Sequence, residues 1–99
     1  MLKGSTYAVG GTTECWMDIT SNYAKQFEES LGAGGILSLN GTRINYVKSR
    51  IRDAVARLIP TCELDCLLPT EGNARRALIA LFQLCELVDA DTCTLRVEG

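Results

Sequence analysis

The chain has 99 residues, of which 46% are hydrophobic and 22% are charged, and its net charge is −2. This length and composition predict one globular domain over residues 1–99, and no stretch reaches the ~18–20 consecutive apolar residues of a membrane span. The sequence contains no histidine, which excludes Ser-His and Cys-His nucleophilic pairs and most zinc hydrolases.

The N-terminal segment is predicted to form a β-hairpin, because Gly10 and Gly11 are a two-residue turn signal. The residues after the turn alternate between two faces, with Cys15, Met17 and Ile19 on one and Glu14, Trp16 and Asp18 on the other. We interpret the second face as a protein-binding surface centred on Trp16, since tryptophan supplies a large contact area. The alternative is that a helix covers this tryptophan.

Residues 21–31 are predicted to form a helix, because Tyr23, Phe27 and Leu31 are spaced four apart and make one apolar stripe. Residues 34–41, with the sequence GGILSLNG, follow it. This short apolar run between turn residues predicts a strand.

Residues 42–60 give the clearest helical pattern in the chain. Its apolar positions fall in one sector, formed by Ile44, Val47, Ile51, Ala54, Val55 and Leu58. Basic residues line both edges of this sector, with Arg43, Arg50 and Arg57 along one edge and Lys48 and Arg52 along the other. These side chains either cover the stripe with their methylene groups or contact an anionic partner, which is an acidic protein face or nucleic-acid phosphate. The excess of acidic residues elsewhere disfavours nucleic acid.

The segment PTCELDCLLPT, residues 60–70, is predicted to contain a strand over residues 61–68. On a strand, Cys62, Leu64, Cys66 and Leu68 share the buried face, while Glu63 and Asp65 face water. The two sulfur atoms are then ~13 Å apart, too far for a disulfide or a shared metal ion. On a helix they are one turn apart, and a zinc site with Cys85 and Cys93 becomes feasible. We predict interior, reduced thiols, with a zinc site or a reactive thiol as the alternatives.

Residues 71–90 are predicted to form the last helix, starting near Thr70 or Asn73. Its polar side is narrow and includes Ile79, so we expect burial on most sides or packing against a partner. Cys85 lies in the apolar sector, where burial makes a thiol inert. Alternation over residues 92–97 predicts a final strand.

The resulting fold class is α+β, with the order ββαβαβαβ and a mixed sheet packed against helices. The last two strands are expected to be parallel, with a right-handed crossover. The N-terminus lacks the long apolar stretch of a secretory signal, so we expect a cytoplasmic protein.

The function predicted from these patterns is a non-enzymatic interaction module that binds a protein partner or forms a homodimer, as a regulator or inhibitor of a larger complex. The predicted partner-binding residues are Glu14, Trp16, Asp18, Arg43, Arg50, Arg57 and Ile79. We predict no cofactor and no metal. One alternative is a small-molecule binder or enzyme with a helix–sheet pocket built from carboxylates, Tyr7, Tyr46 and the arginines. The other is a nucleic-acid-associated regulator that uses the basic helix.

Overall fold

The computed structural model describes residues 6–10, 16–62, 64–65 and 67–98. This part of the chain contains three strands and three α-helices, connected in places by short 3-10 helices. They are β1 (Thr6–Gly10), β2 (Trp16–Thr20), α1 (Ala24–Leu31), α2 (Ile44–Arg57), α3 (Glu71–Cys85) and β3 (Arg96–Glu98). Within these ranges, no helix combines the length and the apolar character needed to cross a membrane.

The three strands form a small antiparallel sheet in the order β2-β1-β3. Val9 of β1 lies opposite Met17 on one side and Val97 on the other. Val9 and Val97 are both buried, as is Ile19 of β2, because one face of the sheet packs against the helices.

The predicted order ββαβαβαβ and the predicted mixed sheet are wrong. Residues 34–41 do not form a strand, because Gly34 adopts a left-handed conformation (φ 87°) and begins a 3-10 helix over Gly35–Leu39. In this helix, Ile36 and Leu39 are three residues apart and therefore point the same way into the core. The last strand, β3, pairs antiparallel with β1, so the predicted parallel crossover is absent.

The predicted strand over residues 61–68 is also wrong, since its described residues adopt no regular structure. Cys62, Leu64 and Leu68, which the alternation predicts to be buried, are exposed. The predicted positions of Glu63 and Cys66, and with them the pairing of Cys62 with Cys66, lie outside the described residues. The alternating pattern predicts a strand only where a neighbouring strand binds its backbone. Here side chains bind several of the backbone carbonyl groups instead.

The predicted helical stripes do form the core. Tyr23, Phe27 and Leu31 of the first helical segment are buried, and the rings of Tyr23 and Phe27 pack edge to face with their centroids 5.9 Å apart. The residues of α2 and α3 that complete the core are Ile44, Val47, Ile51, Ala54, Ala74, Leu78, Leu81 and Cys85. Helix α2 packs against both α1 and α3. The edge with Arg50 and Arg57 therefore meets α1, and the edge with Lys48 and Arg52 meets α3.

Candidate protein-interaction surfaces

An exposed apolar loop lies immediately before α3. We call the described residues Leu64, Asp65, Leu67 and Leu68 the leucine loop. The exposed fractions of Leu64, Leu67 and Leu68 are 106%, 57% and 43%. Clustered exposed apolar side chains are a feature of interaction surfaces, so the leucine loop is a candidate for one.

Asn73 of α3 holds the two ends of the leucine loop. This side chain is 3% exposed, and its Nδ2 donates hydrogen bonds to the carbonyl oxygens of Asp65 (3.0 Å) and Leu68 (2.9 Å). Its Oδ1 accepts a hydrogen bond from the Arg76 guanidinium, which fixes the orientation of the amide. The backbone N–H of Asn73 donates to Oγ1 of Thr70 (3.2 Å), the N-cap of α3.

Two side chains from the N-terminal half hold the same region from the other side. Asn22 Nδ2 donates to the carbonyl oxygen of Leu67 (2.9 Å), and Gln26 Nε2 donates to that of Pro69 (2.8 Å). Asp65 adds a local turn, because its Oδ1 accepts from the backbone N–H of Leu67 (2.9 Å). The backbone of the loop is therefore fixed at several points while its leucine side chains face solvent.

The chain that leads into the leucine loop is packed tightly against the start of α3. The N–H of Gly72 donates to Oγ1 of Thr61 (3.1 Å), and Arg76 Nη1 donates to the Thr61 carbonyl oxygen (2.9 Å). A Cβ atom at position 72 would lie 2.1 Å from Oγ1 and 2.4 Å from the carbonyl oxygen of Thr61. Only glycine at position 72 leaves room for this close contact with Thr61. The contact holds the chain that enters the leucine loop against the start of α3.

A second candidate surface is an apolar groove between α2 and α3, with a volume of about 200 Å³. We call it the α2–α3 groove. Its lining residues are Ile51, Arg52, Val55, Ile79 and Phe82. Ile51 is fully buried, whereas Val55, Ile79 and Phe82 are half-buried, so the groove has an apolar floor and open walls.

The side chains of Lys48 and Arg52 lie close to the aromatic ring of Phe82 in this groove. Lys48 Nζ lies 5.2 Å and Arg52 Cζ lies 5.6 Å from the centroid of the Phe82 ring, within the range of cation–π contacts. Among the described residues, no carboxylate pairs with either cation. The groove therefore combines an apolar floor with two positive charges at its edge.

The opposite edge of α2 carries arginines that bind the protein's own backbone. Arg50 donates to the carbonyl oxygen of Leu31, and Arg57 Nη1 donates to that of Ser30 (3.0 Å). Both oxygens belong to the last turn of α1, which has no basic residue of its own there. Cations at a helix C-terminus satisfy free carbonyl groups and interact favourably with the helix dipole.

The structure distributes the predicted partner-binding residues over several places. Arg43 donates to the carbonyl oxygen of Asp91 (2.6 Å), so all three arginines of this edge have intramolecular contacts. Ile79 lies in the α2–α3 groove, and Asp18 is exposed on β2. Glu14 lies outside the described residues, as does the side chain of Trp16. A partner-binding role for this set stays a prediction.

A mostly apolar pocket of about 430 Å³ lies between β2 and α3. Asp18 and Arg76 are its charged lining residues, and Met17 and Ala77 are among its apolar ones. A helix–sheet pocket that uses Tyr7 and Tyr46 stays a prediction: the side chain of Tyr7 lies outside the described residues, and Tyr46 does not line this pocket. Tyr46 lies on the exposed face of α2, where its hydroxyl accepts a hydrogen bond from Arg50 Nη1 (2.8 Å).

The described cysteines are all free and differ in burial. Cys62 is exposed and Cys93 is half-buried. Burial raises the pKa of the Cys85 thiol from 9.0 to about 11, and the charge of Lys48 lowers it slightly against this effect. This protonated thiol is a poor nucleophile, as the sequence predicts. Among the described residues, no cluster of three or more Cys, Asp or Glu side chains is placed to hold a metal ion.

Comparison with protein-family models, curated proteins and solved structures finds no match for this chain.

Sequence reasoning missed the leucine loop and its anchors. The one signal in the sequence was the density of leucines, with Leu64, Leu67 and Leu68 within five residues between Pro60 and Pro69. The anchoring residues Asn22 and Gln26 carry no such signal, since they lie more than 40 positions from the carbonyl groups they bind.

Proposed function

We propose that this protein is an interaction module whose leucine loop inserts its leucine side chains into an apolar groove of a protein partner. The observation that carries the proposal is the combination of a fixed backbone with outward-facing leucines. Hydrogen bonds from Asn22, Gln26 and Asn73 order the loop, so less conformational entropy is lost when a partner covers it.

The chemistry of the surface favours a protein partner. Burying a fully exposed leucine side chain contributes about 1.5–3 kcal/mol, and Leu64 is the fully exposed one of the three, so the leucines supply part of the binding free energy and the partner's other contacts supply the rest. Phosphate recognition needs cations, and the segment from residue 60 to residue 73 contains three acidic residues and no basic residue. This charge disfavours nucleic acid at the loop. A cytoplasmic location is proposed together with this role.

Site-specific photocrosslinking tests the proposal. A photoreactive amino acid replaces Leu64 in one variant and Leu87 in a matched control, in the cells that naturally produce the protein. Leu87 is 72% exposed and lies beyond the end of α3. We expect position 64 to crosslink to a discrete polypeptide and position 87 not to do so.

A second pair of variants provides the loss-of-binding control. We expect the substitution Leu68→Ser to abolish the crosslink from position 64, and we expect Leu87→Ser to leave it unchanged. Equal crosslinking from positions 64 and 87, or a crosslink that survives Leu68→Ser, contradicts insertion of the loop into a partner.

A second candidate function is binding of a small molecule between β2 and α3. The pocket there, at about 430 Å³, lies within the usual range of ligand sites. The carboxylate of Asp18 and the guanidinium of Arg76, beside the apolar side chain of Met17, favour a zwitterionic ligand with an apolar body, such as an apolar amino acid. Titration with apolar amino acids, monitored by nuclear magnetic resonance, tests this candidate. Equal shifts in an Asp18→Asn variant contradict recognition by the carboxylate.

A further inference from the structure

We infer that the partner of the leucine loop is a second copy of this chain and that the α2–α3 groove of that copy receives the loop. This inference rests on the proposed function of the loop as an inserted element. It adds the identity of the partner and the surface that receives the leucines.

The two surfaces are complementary in polarity. The walls of the groove are formed by the half-buried side chains of Val55, Ile79 and Phe82, and the loop presents leucines. Both surfaces are partly exposed in the single chain, so their contact removes apolar area from water on both sides.

The two surfaces are also complementary in charge. Lys48 and Arg52 place two positive charges at the edge of the groove. The segment from residue 60 to residue 73 has a net charge of −3, from Glu63, Asp65 and Glu71, and Asp65 is exposed. Opposite charges at the rim of an apolar contact favour the correct partner and accelerate encounter.

A chain does not fill its own groove. Asn73 binds the leucine loop at the first turns of α3, while Ile79 and Phe82 of the groove lie six and nine residues further along the helix. At 1.5 Å per residue this separation is about 9–14 Å. The hydrogen bonds that fix the loop therefore keep it away from the groove of the same molecule, and a second molecule is needed.

The contact joins two different surfaces, so each molecule offers one loop and one groove. Such a contact closes into a reciprocal pair or continues into longer chains. In either arrangement, a molecule that has lost its loop still has a functional groove, and one that has lost its groove still has a functional loop.

Mixing of complementary variants tests the inference. The loop variant carries Leu64→Ser and Leu68→Ser, and the groove variant carries Val55→Lys. Sedimentation velocity measures association of the wild-type protein, of each variant alone and of the equimolar mixture. We expect concentration-dependent association of the wild-type protein and at least about 100-fold weaker association of each variant alone. In the mixture, measured up to the highest soluble concentration, we expect heterodimers joined by the one intact loop–groove contact, and therefore weaker than a wild-type reciprocal pair.

Further measurements keep this test decisive. Circular dichroism verifies that each variant is folded, and Arg52→Glu, at an exposed position, replaces the groove variant if Val55→Lys unfolds the protein. Leu87→Ser is the matched control and is expected to associate like the wild-type protein. High salt is expected to weaken association, since charges at the rim are screened.

Other outcomes separate the inference from the proposed function. A wild-type protein that stays monomeric at all concentrations overturns the inference. If position 64 then crosslinks to a different protein, the proposed function stands with a foreign partner. A mixture that stays monomeric although the wild-type protein associates also overturns the inference, because association then uses another surface.

Discussion

Replacing Asn73 with alanine tests the anchoring of the leucine loop. The substitution removes two hydrogen bonds to loop carbonyl groups, at 3.0 and 2.9 Å, and one from Arg76. Each such bond contributes about 0.5–1.5 kcal/mol net, so we expect the free energy of unfolding to fall by about 2–4 kcal/mol. A domain of this size has about 5–15 kcal/mol of stability, and the variant therefore stays folded.

Urea unfolding followed by circular dichroism measures this change, and hydrogen exchange measures its local effect. We expect faster exchange of the backbone amides of Leu68 and Thr70, which donate to carbonyl groups within the loop. The matched control is Asn45→Ala, since the side chain of this exposed residue makes only a long hydrogen bond of 3.4 Å to Asp91, and its backbone bond to Ala90 is kept in the variant. It is expected to change stability by less than about 0.5 kcal/mol. An Asn73→Ala protein as stable as the control refutes the anchoring role.

Three further substitutions test other contacts. Gly72→Ala places a methyl group against Thr61 and is expected to lower the free energy of unfolding in urea by about 1–3 kcal/mol. An unchanged midpoint of urea unfolding contradicts this packing. Arg57→Ala loses the hydrogen bond to Ser30 and is expected to lower stability by about 1 kcal/mol without weakening association; weaker association assigns Arg57 to a partner contact. Because the pKa of Cys85 is raised to about 11, its contribution to stability is full below pH 9 and is lost as the pH rises toward 11. The stability of the wild-type protein relative to Cys85→Ala is therefore expected to fall by roughly 2 kcal/mol over that range, and a pH-independent difference contradicts a buried thiol.

The helices were predictable because their core positions repeat within a few residues. The stripe of Tyr23, Phe27 and Leu31 and the long apolar sector of α2 are buried, as their spacing indicates. The segment over residues 34–41 was mispredicted because its apolar residues fit a strand equally well. The left-handed conformation of Gly34 selects the 3-10 helix, and this conformation depends on the packing of neighbouring residues.

The surfaces were predictable only in part. The pattern of α2 places Lys48 and Arg52 on one edge and Arg50 and Arg57 on the other, and the structure gives these edges different contacts. The identity of those contacts depends on how α1 and α3 pack, which the periodicity of α2 does not determine. Ile79 was singled out because it interrupts a polar sector, and it lies in the α2–α3 groove.

The leucine loop was mispredicted for a definite physical reason. Its alternation of apolar and acidic residues is the pattern of a half-buried strand. The hydrogen bonds that a sheet would supply come instead from Asn22, Gln26 and Asn73. Two of these side chains are distant in sequence, so only the folded chain reveals why apolar residues are held in solvent.

The most direct test of the central claim follows the exposure of individual leucine methyl groups. In the single chain, Leu64, Leu67 and Leu87 are all exposed, so a soluble paramagnetic agent is expected to broaden their methyl resonances in dilute protein. We then raise the protein concentration, or add a partner that photocrosslinking has identified. We expect the methyl resonances of Leu64 and Leu67, but not those of Leu87, to become protected from broadening. Loop leucines that stay as accessible as Leu87 in the complex contradict the account.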